Sequence, residues 1–458
     1  MLTQGQTRWG IPPSPVMPNS ALLRILAASF LAGQPSADAI ELRSARVLGR
    51  KWHWLKPLAK RYVNAFAART RPRRRDVIAF LIRDEGFQRA WSKYSEEFTV
   101  AHWVTGPQQM QPAAVAAAWP VPQIESVGAL AEWLGLTVGE LEWFADLKGL
   151  AYKRRIPPLE HYHYRVLSKQ SGTIRLIESP KPRLKALQRQ ILTQILEKIP
   201  PHSAAHGFVK HRSIKTFVAP HVARRVLLKM DLLDFFPSLS GARIQALFRT
   251  IGYPEAVADL LGGICTNAVP RRVWREPASQ ANAMHLRDAS TPYFAPHLPQ
   301  GAPTSPALAN ICCYRVDRRL TGLAKSVGAE YTRYADDLAF SGDDTFKRKI
   351  ELFSIHVAAI LMAEGFRIHH RKTRIMRQGV RQHLVGVVVN DHLNVMRKDF
   401  DRLRATLTNC VRRGCDTQNR ASHPQFRAQL EGRVAFVEAI SPAKGKRLRA
   451  IFNRIEWQ

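Results

Sequence analysis

Two adjacent aspartates, Asp336 and Asp337, lie between short apolar runs in the segment EYTRYADDLAFSG. The runs on either side predict a strand, an acidic turn and a second strand. Neighbouring carboxylates repel each other, so a pair of this kind must either face solvent or hold a cation. A lone acidic pair is more often a solvated turn, and the rest of the sequence has to decide between these two interpretations.

The chain is strongly basic as a whole. Its 458 residues include 69 Lys and Arg against 36 Asp and Glu, which gives a formal net charge of +33. Such an excess favours a polyanionic partner, because cationic surfaces gain affinity by releasing the counterions of phosphates. The alternative is a proteome that is basic in general. Because 45% of the residues are hydrophobic, we expect a globular chain with room for two or three domains.

Neither the cysteines nor the apolar runs indicate a zinc site or a membrane. The five cysteines include no C-x-x-C pair, so we expect reduced thiols in a cytoplasmic protein. No run approaches the roughly eighteen uncharged apolar residues of a membrane span. The sequence therefore predicts no membrane partner.

Three regions follow one another along the chain. Residues 1–122 are predicted to form an N-terminal helical extension of unknown function, with a Pro- and Ala-rich linker at 105–123. Residues 123–395 alternate strands and helices, beginning with a β-hairpin at 162–180. Residues 396–458 are helical, basic and contain scattered aromatic residues.

Acidic residues and a turn in this second region could meet in space. In LLKMDLLDFF, Asp231 ends an apolar strand-like run and Asp234 follows three residues later. The segment LPQGAPTSPALAN, at 298–310, is a turn that leads into a helix. If Asp231 and the pair at 336–337 end neighbouring strands, three carboxylates face one space. Oxygen ligands of this kind suit two Mg²⁺ ions, about 3.5–4 Å apart, which activate a hydroxyl and stabilise a leaving pyrophosphate oxygen.

These motifs together resemble a known family. RYADDLAF, with DLLDFFPSL upstream and LPQGAPTSPALAN between them, resembles the palm of the bacterial retron reverse transcriptases, which are RNA-directed DNA polymerases. GFVKHRSIKT and ESPKPRLKALQRQIL also resemble that family, in the expected order, and the resemblance extends over 126–440. It implies an α+β fold, namely a right-hand polymerase of fingers, palm and thumb with an antiparallel palm sheet, preceded by the helical N-terminal domain. Residues 396–458 would be the thumb-like region.

The resemblance assigns catalytic roles residue by residue. Asp231, Asp336 and Asp337 match the metal ligands of the palm, which bind two Mg²⁺ ions that Mn²⁺ can replace. Phe236 falls where these enzymes place a bulky residue against the sugar 2′ position, and Asp234 belongs to the same nucleotide-binding segment. A ring there favours dNTPs because it would clash with a 2′-hydroxyl. The alternative for Phe236 is a simple core position.

Further nucleotide contacts are implied at three places. Gln300 and Gly301 match the turn that lies under the template and the incoming nucleotide. Arg183 and Lys185 match the basic residues of the fingers that contact the triphosphate. Lys372 matches a late palm lysine that protonates the leaving pyrophosphate. Each basic residue taken alone is equally well explained as a surface charge.

Binding of RNA is implied for Arg212, His221 and Gly386. Family members usually carry Asn-Ala-x-x-His before the first catalytic aspartate, whereas FVAPH keeps only the histidine, His221. They also carry Val-Thr-Gly after the palm, whereas this chain has Leu384-Val385-Gly386. Both signatures are linked in the family to recognition of its own structured RNA, so the resemblance leaves that specificity open.

The function implied by the resemblance is RNA-templated DNA synthesis. The primer would be a 2′-hydroxyl of a structured non-coding RNA, and the product a branched, RNA-linked single-stranded DNA (msDNA). The partners would be this RNA as template and primer, the RNA–DNA hybrid, dNTPs and an effector protein in defence against phage. Alternatives are a group II intron-like, diversity-generating or other defence reverse transcriptase, and a catalytically silent RNA-binding relict. The presence of all three carboxylates argues against the relict.

Overall fold

A computed structural model describes residues 20–66, 72–103, 108–150, 160–168, 174–274 and 291–457. Contacts divide the chain into two compact units. The first takes residues up to Leu159 together with Ala242–Ile264, and the second takes Glu160–Gly241 and Cys265–Gln458. Helices and antiparallel sheets are combined, as the α+β prediction requires. The functional boundaries at 122 and 395 remain a prediction.

The regular elements are named in chain order. The helices are α1 (Ser20–Leu31), α2 (Ala37–Val47), α3 (Leu55–Phe66), α4 (Arg74–Arg83), α5 (Glu85–Tyr94), α6 (Val127–Leu134), α7 (Val138–Ala145), α8 (Pro182–Gln194), α9 (Ile214–Val218), α10 (Gly241–Ile251), α11 (Glu255–Cys265), α12 (Ser305–Cys312), α13 (Tyr314–Ser326), α14 (Asp344–Ala363), α15 (Arg397–Arg413), α16 (Phe426–Ile440) and α17 (Pro442–Phe452). The strands are β1 (Tyr162–Ser168), β2 (Ile174–Pro180), β3 (Val226–Leu233), β4 (Glu330–Tyr334), β5 (Asp337–Gly342), β6 (Arg367–Ile368), β7 (Arg374–Arg377), β8 (His383–Leu384), β9 (Val387–Val388) and β10 (Asn394–Val395).

The first unit is helical, as predicted for the N-terminal extension. Helices α1 to α5 bury a shared apolar core, in which the ring of Trp54 meets that of Phe87 edge-on at 5.6 Å. Polar caps fix where these helices begin. Asp84 accepts a hydrogen bond from the backbone N–H of Phe87 at the start of α5 and pairs with Arg61 of α3, 2.6 Å away. A cap of this kind satisfies a backbone donor that the helix itself cannot.

The segment predicted as a linker is packed within the first unit. Its first residues lie outside the described part of the chain. Further along, the backbone N–H of Gln111 donates to the carbonyl of Gly252 at 2.9 Å, and that of Ala113 donates to Thr250 at 3.0 Å. The described part of the predicted linker, from residue 108 onward, is thus packed and contains a short 3-10 helix at Ala114–Ala116. Its backbone donors at Gln111 and Ala113 find partners in the same unit.

The second unit is built around a five-stranded antiparallel sheet. The strand order is β4-β5-β3-β6, and β7 also pairs with β3. Strand β3 is buried along most of its length, as expected for a strand inside a sheet. Helix α14 packs against the sheet, with Phe353 meeting Phe340 of β5 at 5.1 Å. The last paired residues of β3 and β5 are Asp231 and Asp337, two of the predicted carboxylates.

Two smaller sheets and a helical end complete the second unit. The predicted hairpin at 162–180 is confirmed as the antiparallel pair β1-β2, and residues 169–173 between the strands lie outside the described residues. Strands β8, β9 and β10 form a three-stranded sheet. Helices α15 to α17, predicted from the basic tail, share a core with this sheet.

Within the described residues, no helix combines the length and the apolar character that crossing a bilayer requires.

Candidate active site

Three carboxylates meet at one end of the central sheet. Asp231 of β3 lies directly opposite Asp337 of β5 in the strand register, and Asp336 precedes Asp337 in the turn. The backbone N–H of Leu232 donates to the carbonyl of Asp336 at 3.0 Å, which ties the turn to β3. Because residues opposite each other have Cβ atoms about 4.5–5.5 Å apart, Asp231 and Asp337 share one face of the sheet. The sheet therefore brings the predicted triad together.

The turn between β4 and β5 is tight and strained. Tyr334 pairs with Asp337, which leaves only Ala335 and Asp336 in the loop. Ala335 has a φ of 53°, a left-handed conformation that is costly for a residue other than glycine. Burial, followed by the charges of Asp231 and Asp337, raises the pKa of Asp336 above its usual value. Burial and the neighbouring carboxylates thus both disfavour the charged form of Asp336.

Two lysines neutralise the other carboxylates. The Nζ atom of Lys372 lies 3.0 Å from both carboxylate oxygens of Asp231. The Nζ atom of Lys229 lies 2.9 Å from Oδ1 of Asp337, within ion-pair distance but without hydrogen-bond geometry. Lys372 follows β6, where the backbone N–H of His369 donates to the carbonyl of Asp231 at 2.8 Å. The structure therefore places the predicted palm lysine directly on the carboxylate of Asp231.

The donors present suit a divalent cation. Carboxylate oxygens are the ligands that Mg²⁺ prefers, and the excess negative charge at Asp336 is what a cation would relieve. Among the residues that the structure describes, no three His, Cys, Asp or Glu side chains are grouped around one point as metal ligands. Asp231 and Asp337 contact ammonium groups instead. A metal ion would therefore share or replace these ammonium groups at the two carboxylates.

A buried ion pair lies beneath the turn. Arg333 of β4 is 0% exposed, and its Nε and Nη2 atoms bond to the two carboxylate oxygens of Asp317 at 2.8 and 2.7 Å. Its Nη1 atom donates to Oδ1 of Asn310 at 3.1 Å and to the carbonyl of Ala335 at 3.2 Å. Burial alone would lower the pKa of Arg333, but Asp317 raises it above its usual value. The guanidinium therefore holds the strained residue of the catalytic turn by its carbonyl.

Sequence analysis missed this ion pair. One signal was available, because Arg333 interrupts the short apolar strand before the aspartates and a charge within such a strand needs a buried partner. The partner could not be identified from the sequence. Asp317 lies on α13, and only the fold shows that it faces β4.

The two phenylalanines after β3 have different environments. Phe235 is buried and stacks on Phe366, with ring centres 6.1 Å apart. Phe236 is only partly buried, so it is the member of the pair that a ligand can reach. Asp234 pairs with Arg367 at 3.1 Å and has a φ of 48°. Phe235 is therefore a core residue, whereas Phe236, for which a core position was the alternative, is not fully buried.

The turn at Gln300 and Gly301 is fixed to β2. The backbone N–H of Glu178 donates to the carbonyl of Gln300 at 2.9 Å. Gly301 has a φ of 135°, and a Cβ atom there would lie 2.8 Å from the carbonyl oxygen of Glu178. The close approach that glycine permits is therefore made to the protein's own strand. Arg183 and Lys185 are both exposed in the first turn of α8, which follows β2.

Two residues predicted to bind RNA have intramolecular partners. The Nη1 atom of Arg212 donates to the carbonyls of Ser203 and Ala205, both at 2.5 Å. His221 is 0% exposed and bridges the hydroxyls of Thr332 and Ser341, each 2.7 Å away. Burial lowers the pKa of His221 to about 3, so the ring is neutral. In this position it links β4 to β5 and is not accessible to RNA.

Gly386 lies at the tip of a second tight hairpin. Leu384 pairs with Val387, which leaves Val385 and Gly386 in the turn, with φ values of 46° and 81°. Positive φ at both positions is typical of a two-residue hairpin, but it is unusual for a β-branched residue such as valine. A Cβ atom at Gly386 would meet open space. The turn is therefore accessible from outside.

Comparison with known proteins gives a consistent result. Residues 167–392 match the family model for reverse transcriptase, RNA-dependent DNA polymerase. The retron Mx65 reverse transcriptase of Myxococcus xanthus is 41% identical over 315 residues, which are 69% of this chain and 68% of the relative. The retron Mx162 reverse transcriptase of the same organism is 38% identical over 348 residues, 73% of this chain and 68% of the relative. The retron Ec86 reverse transcriptase of Escherichia coli is 29% identical over 284 residues, which are 62% of this chain and 77% of the relative.

The matched range includes β3, the catalytic turn and Lys372. The predicted α+β polymerase fold is thereby confirmed, and the chain is an RNA-directed DNA polymerase, a nucleotidyltransferase. The two Myxococcus proteins share 41% and 38% identity with this chain, each over 68% of the relative's length. The chain belongs to the retron reverse transcriptases.

Proposed function

We propose that this reverse transcriptase extends a 2′-hydroxyl of its own structured non-coding RNA and makes msDNA, a branched, RNA-linked single-stranded DNA. The observation that carries the proposal is the meeting of Asp231, Asp336 and Asp337 at one end of the central sheet. The likeness to retron enzymes supports the choice of template and product.

The proposed cofactors are two Mg²⁺ ions, replaceable by Mn²⁺, held by Asp231, Asp336 and Asp337. When bound, they would activate the primer hydroxyl and neutralise charge on the leaving pyrophosphate. Lys372 already lies on Asp231, so its ammonium group would be released at the place where the pyrophosphate leaves. From there it would donate a proton to the leaving group.

The remaining nucleotide contacts follow the geometry. Phe236 is partly exposed after β3 and would exclude ribonucleotides by contact with the 2′-hydroxyl. The turn at Gln300 and Gly301 would support the template and the incoming nucleotide. Arg183 and Lys185, both exposed, would contact the triphosphate. Asp234, which forms an ion pair with Arg367, would help to shape the pocket for the incoming nucleotide.

Recognition of the RNA is proposed for accessible parts of the second unit. Gly386 at the exposed hairpin tip and the basic helices within 396–458 would contact an RNA stem through its shape and phosphates. Arg212 and His221 would act indirectly, by fixing the backbone to which they bond. Residues 1–122 would recruit, or act as, an effector in cytoplasmic antiphage defence.

The test is to express the chain with its native upstream DNA and to sequence the nucleic acid that co-purifies. We expect a discrete short DNA joined to RNA through a 2′–5′ branch, which is absent when Asp336→Asn replaces the wild type. Co-purifying RNA without such DNA would overturn the proposal. In that case, extension of a primed RNA template with dNTPs separates a reverse transcriptase of another kind from a silent RNA-binding protein.

A further inference from the structure

An exposed aromatic side chain, Phe208, lies beside the catalytic turn. Its side chain is 55% exposed, unusual for a phenylalanine next to a buried core. Its ring centre lies 6.3 Å from that of Tyr334, the last residue of β4, and 6.5 Å from that of Phe236. Phe208 thus stands between the residue that precedes the catalytic turn and the residue proposed to contact the sugar of the incoming nucleotide.

The backbone holds Phe208 in this position at a cost. Its φ is 60°, a left-handed conformation that phenylalanine rarely adopts. The preceding Gly207 is anchored at two points. Its carbonyl accepts a hydrogen bond from Asn310 at 2.8 Å, and a Cβ atom on it would lie 2.7 Å from the backbone nitrogen of Ala335. A strained and exposed ring that is held so firmly against the active site points to a ligand contact.

The surroundings identify the class of ligand. The loop that carries Phe208 exposes Lys210 and His211, and the following helix α9 exposes Lys215. Lys210 also pairs with Glu197 at 2.7 Å. Lysines close in sequence to an exposed apolar ring are typical of surfaces that bind nucleic acid, since the ring meets sugars or bases and the cations meet phosphates. Phe236 belongs to the incoming nucleotide in the proposed function. Phe208 contacts Phe236 on one side and Tyr334 on the other. Its ring therefore borders the neighbouring nucleotide, which is the end of the growing strand.

We propose that Phe208 binds the sugar of the nucleotide at the 3′ end of the growing strand. This inference rests on the proposed function, because it takes the three carboxylates as the site of polymerisation. The sugar is the accessible part of that nucleotide. In a primed duplex, both faces of its base are covered, one by the preceding base pair and the other by the incoming nucleotide. Apolar contact with the sugar would hold the terminal hydroxyl at the carboxylates.

The test compares Phe208→Ala with the wild type, using a labelled DNA primer annealed to an RNA template. Loss of the ring should weaken binding of this primed template about five- to tenfold, the effect of losing one apolar contact. The KM for dNTP and the preference for dNTP over rNTP should stay within about twofold, because Phe236 is still present to contact the incoming nucleotide. Phe208→Tyr keeps the ring and should recover most of the affinity. Tyr314→Ala removes another exposed ring of the second unit and should leave binding unchanged.

Each outcome decides between named alternatives. Unchanged affinity of Phe208→Ala for the primed template would overturn the inference. A changed preference between dNTP and rNTP would overturn it as well, since Phe208 would then support Phe236 instead. Phe208→Leu serves as a second variant if the alanine form shows a lowered melting temperature. If the wild type makes no branched DNA and also fails to extend the primer, the proposed function has failed, and that result is distinct from a failure at Phe208.

Discussion

Two acidic residues next to strand β4, Asp317 of α13 and Asp336 of the β4-β5 turn, have opposite environments. Asp317 below the hairpin is fully buried, and its oxygens are bonded by Arg333 and by the hydroxyl of Tyr331. Asp336 in the turn is partly buried, and both burial and neighbouring carboxylates raise its pKa. The first acid has every partner in place, whereas the second is left with an excess of negative charge.

This difference separates support from chemistry. A buried charge pair with complete hydrogen bonding fixes geometry, because removing either partner leaves an uncompensated charge in the core. An acid without sufficient counter-charge is costly to the fold, and such groups persist where a ligand or cation uses them. Variants of Asp336 should therefore impair turnover and spare folding. Variants of Arg333 should do the reverse.

The largest effect is expected for Asp336→Asn. Loss of a carboxylate from the triad should slow DNA synthesis by on the order of 10⁴-fold, which is about 5.4 kcal/mol of barrier. The melting temperature should not fall, since the substitution removes a charge that its neighbours repel. Binding of RNA should be nearly intact because no phosphate contact is lost. Incorporation of dNTPs on a primed RNA template, measured beside RNA binding, checks both statements.

The matched control for this variant is Asp344→Asn. Asp344 begins α14, two residues after β5, and its side chain is 60% exposed. The same chemical change there should leave DNA synthesis unaltered. Loss of RNA binding in Asp336→Asn, with the control unaffected, would show that the turn serves in RNA recognition as well as in catalysis.

The next effect concerns the buried pair. Arg333→Met leaves Asp317 charged and without its main partner in the core, which should lower the free energy of unfolding by about 3–5 kcal/mol. Denaturation by urea, followed by tryptophan fluorescence, measures this loss. The activity that remains, divided by the folded fraction, should fall less steeply than in Asp336→Asn, because the three carboxylates are still present.

A double variant tests whether the pair acts as a unit. Arg333→Met combined with Asp317→Leu removes both charges, so it should be more stable than Arg333→Met alone. If the two losses simply add, Arg333 and Asp317 do not depend on each other, and the contrast with Asp336 loses its basis.

The three carboxylates of the candidate site could be predicted from the sequence, whereas the buried ion pair of Asp317 could not. Asp336 and Asp337 stand where the turn meets β5, and Asp231 is the last residue of β3 to pair with β5, so antiparallel pairing of locally visible strands brings the three together. The partners of Arg333 come from α12 and α13, more than ten residues away along the chain. No local pattern encodes a contact that depends on how helices pack on a sheet.

His221 and Phe208 show the same limit. The strand, the hairpin and the basic helices were all visible as local periodicity, and the structure confirms them. His221 was assigned by resemblance to RNA binding, but it is buried between two hydroxyls of the sheet. A histidine in a sequence does not reveal whether it faces solvent or the core. The strained φ of Phe208 likewise follows from packing of its loop against the turn.

Substitutions of Lys372 test whether this residue donates a proton or only neutralises the carboxylate of Asp231. If its ammonium donates a proton to the pyrophosphate, Lys372→Ala should slow single-turnover incorporation about 10²-fold, or about 2.7 kcal/mol. Lys372→Arg should be nearly as slow, because a guanidinium does not give up a proton in proteins. If arginine instead restores the rate, the lysine acts only by neutralising Asp231, to which it is bonded at 3.0 Å.

The smallest effect concerns His221, which supports the hairpin through Thr332 and Ser341. Burial lowers its pKa from 6.5 to about 3, so between these values the unfolded chain binds a proton that the folded chain does not. The stability due to the neutral ring is therefore present above pH 6.5 and is lost as the pH falls, by about 1.4 kcal/mol per unit. The pKa of His206 is lowered to about 4, so His206 adds a loss of stability at low pH to the wild type and to the His221→Gln variant alike.

His221→Gln removes this pH dependence while retaining hydrogen-bonding groups. At pH 7.5 the variant should be less stable than the wild type by about 1–2 kcal/mol, the cost of imperfect replacement of two buried hydrogen bonds. Near pH 5 the difference should vanish, because protonation of the unfolded chain has by then cost the wild type a similar amount. Urea unfolding of both proteins at pH 7.5, 6 and 5 measures the change. If the difference in free energy of unfolding stays constant with pH, the ring of His221 is not held neutral in the folded chain. His221 would then support the hairpin less strongly than Arg333 does.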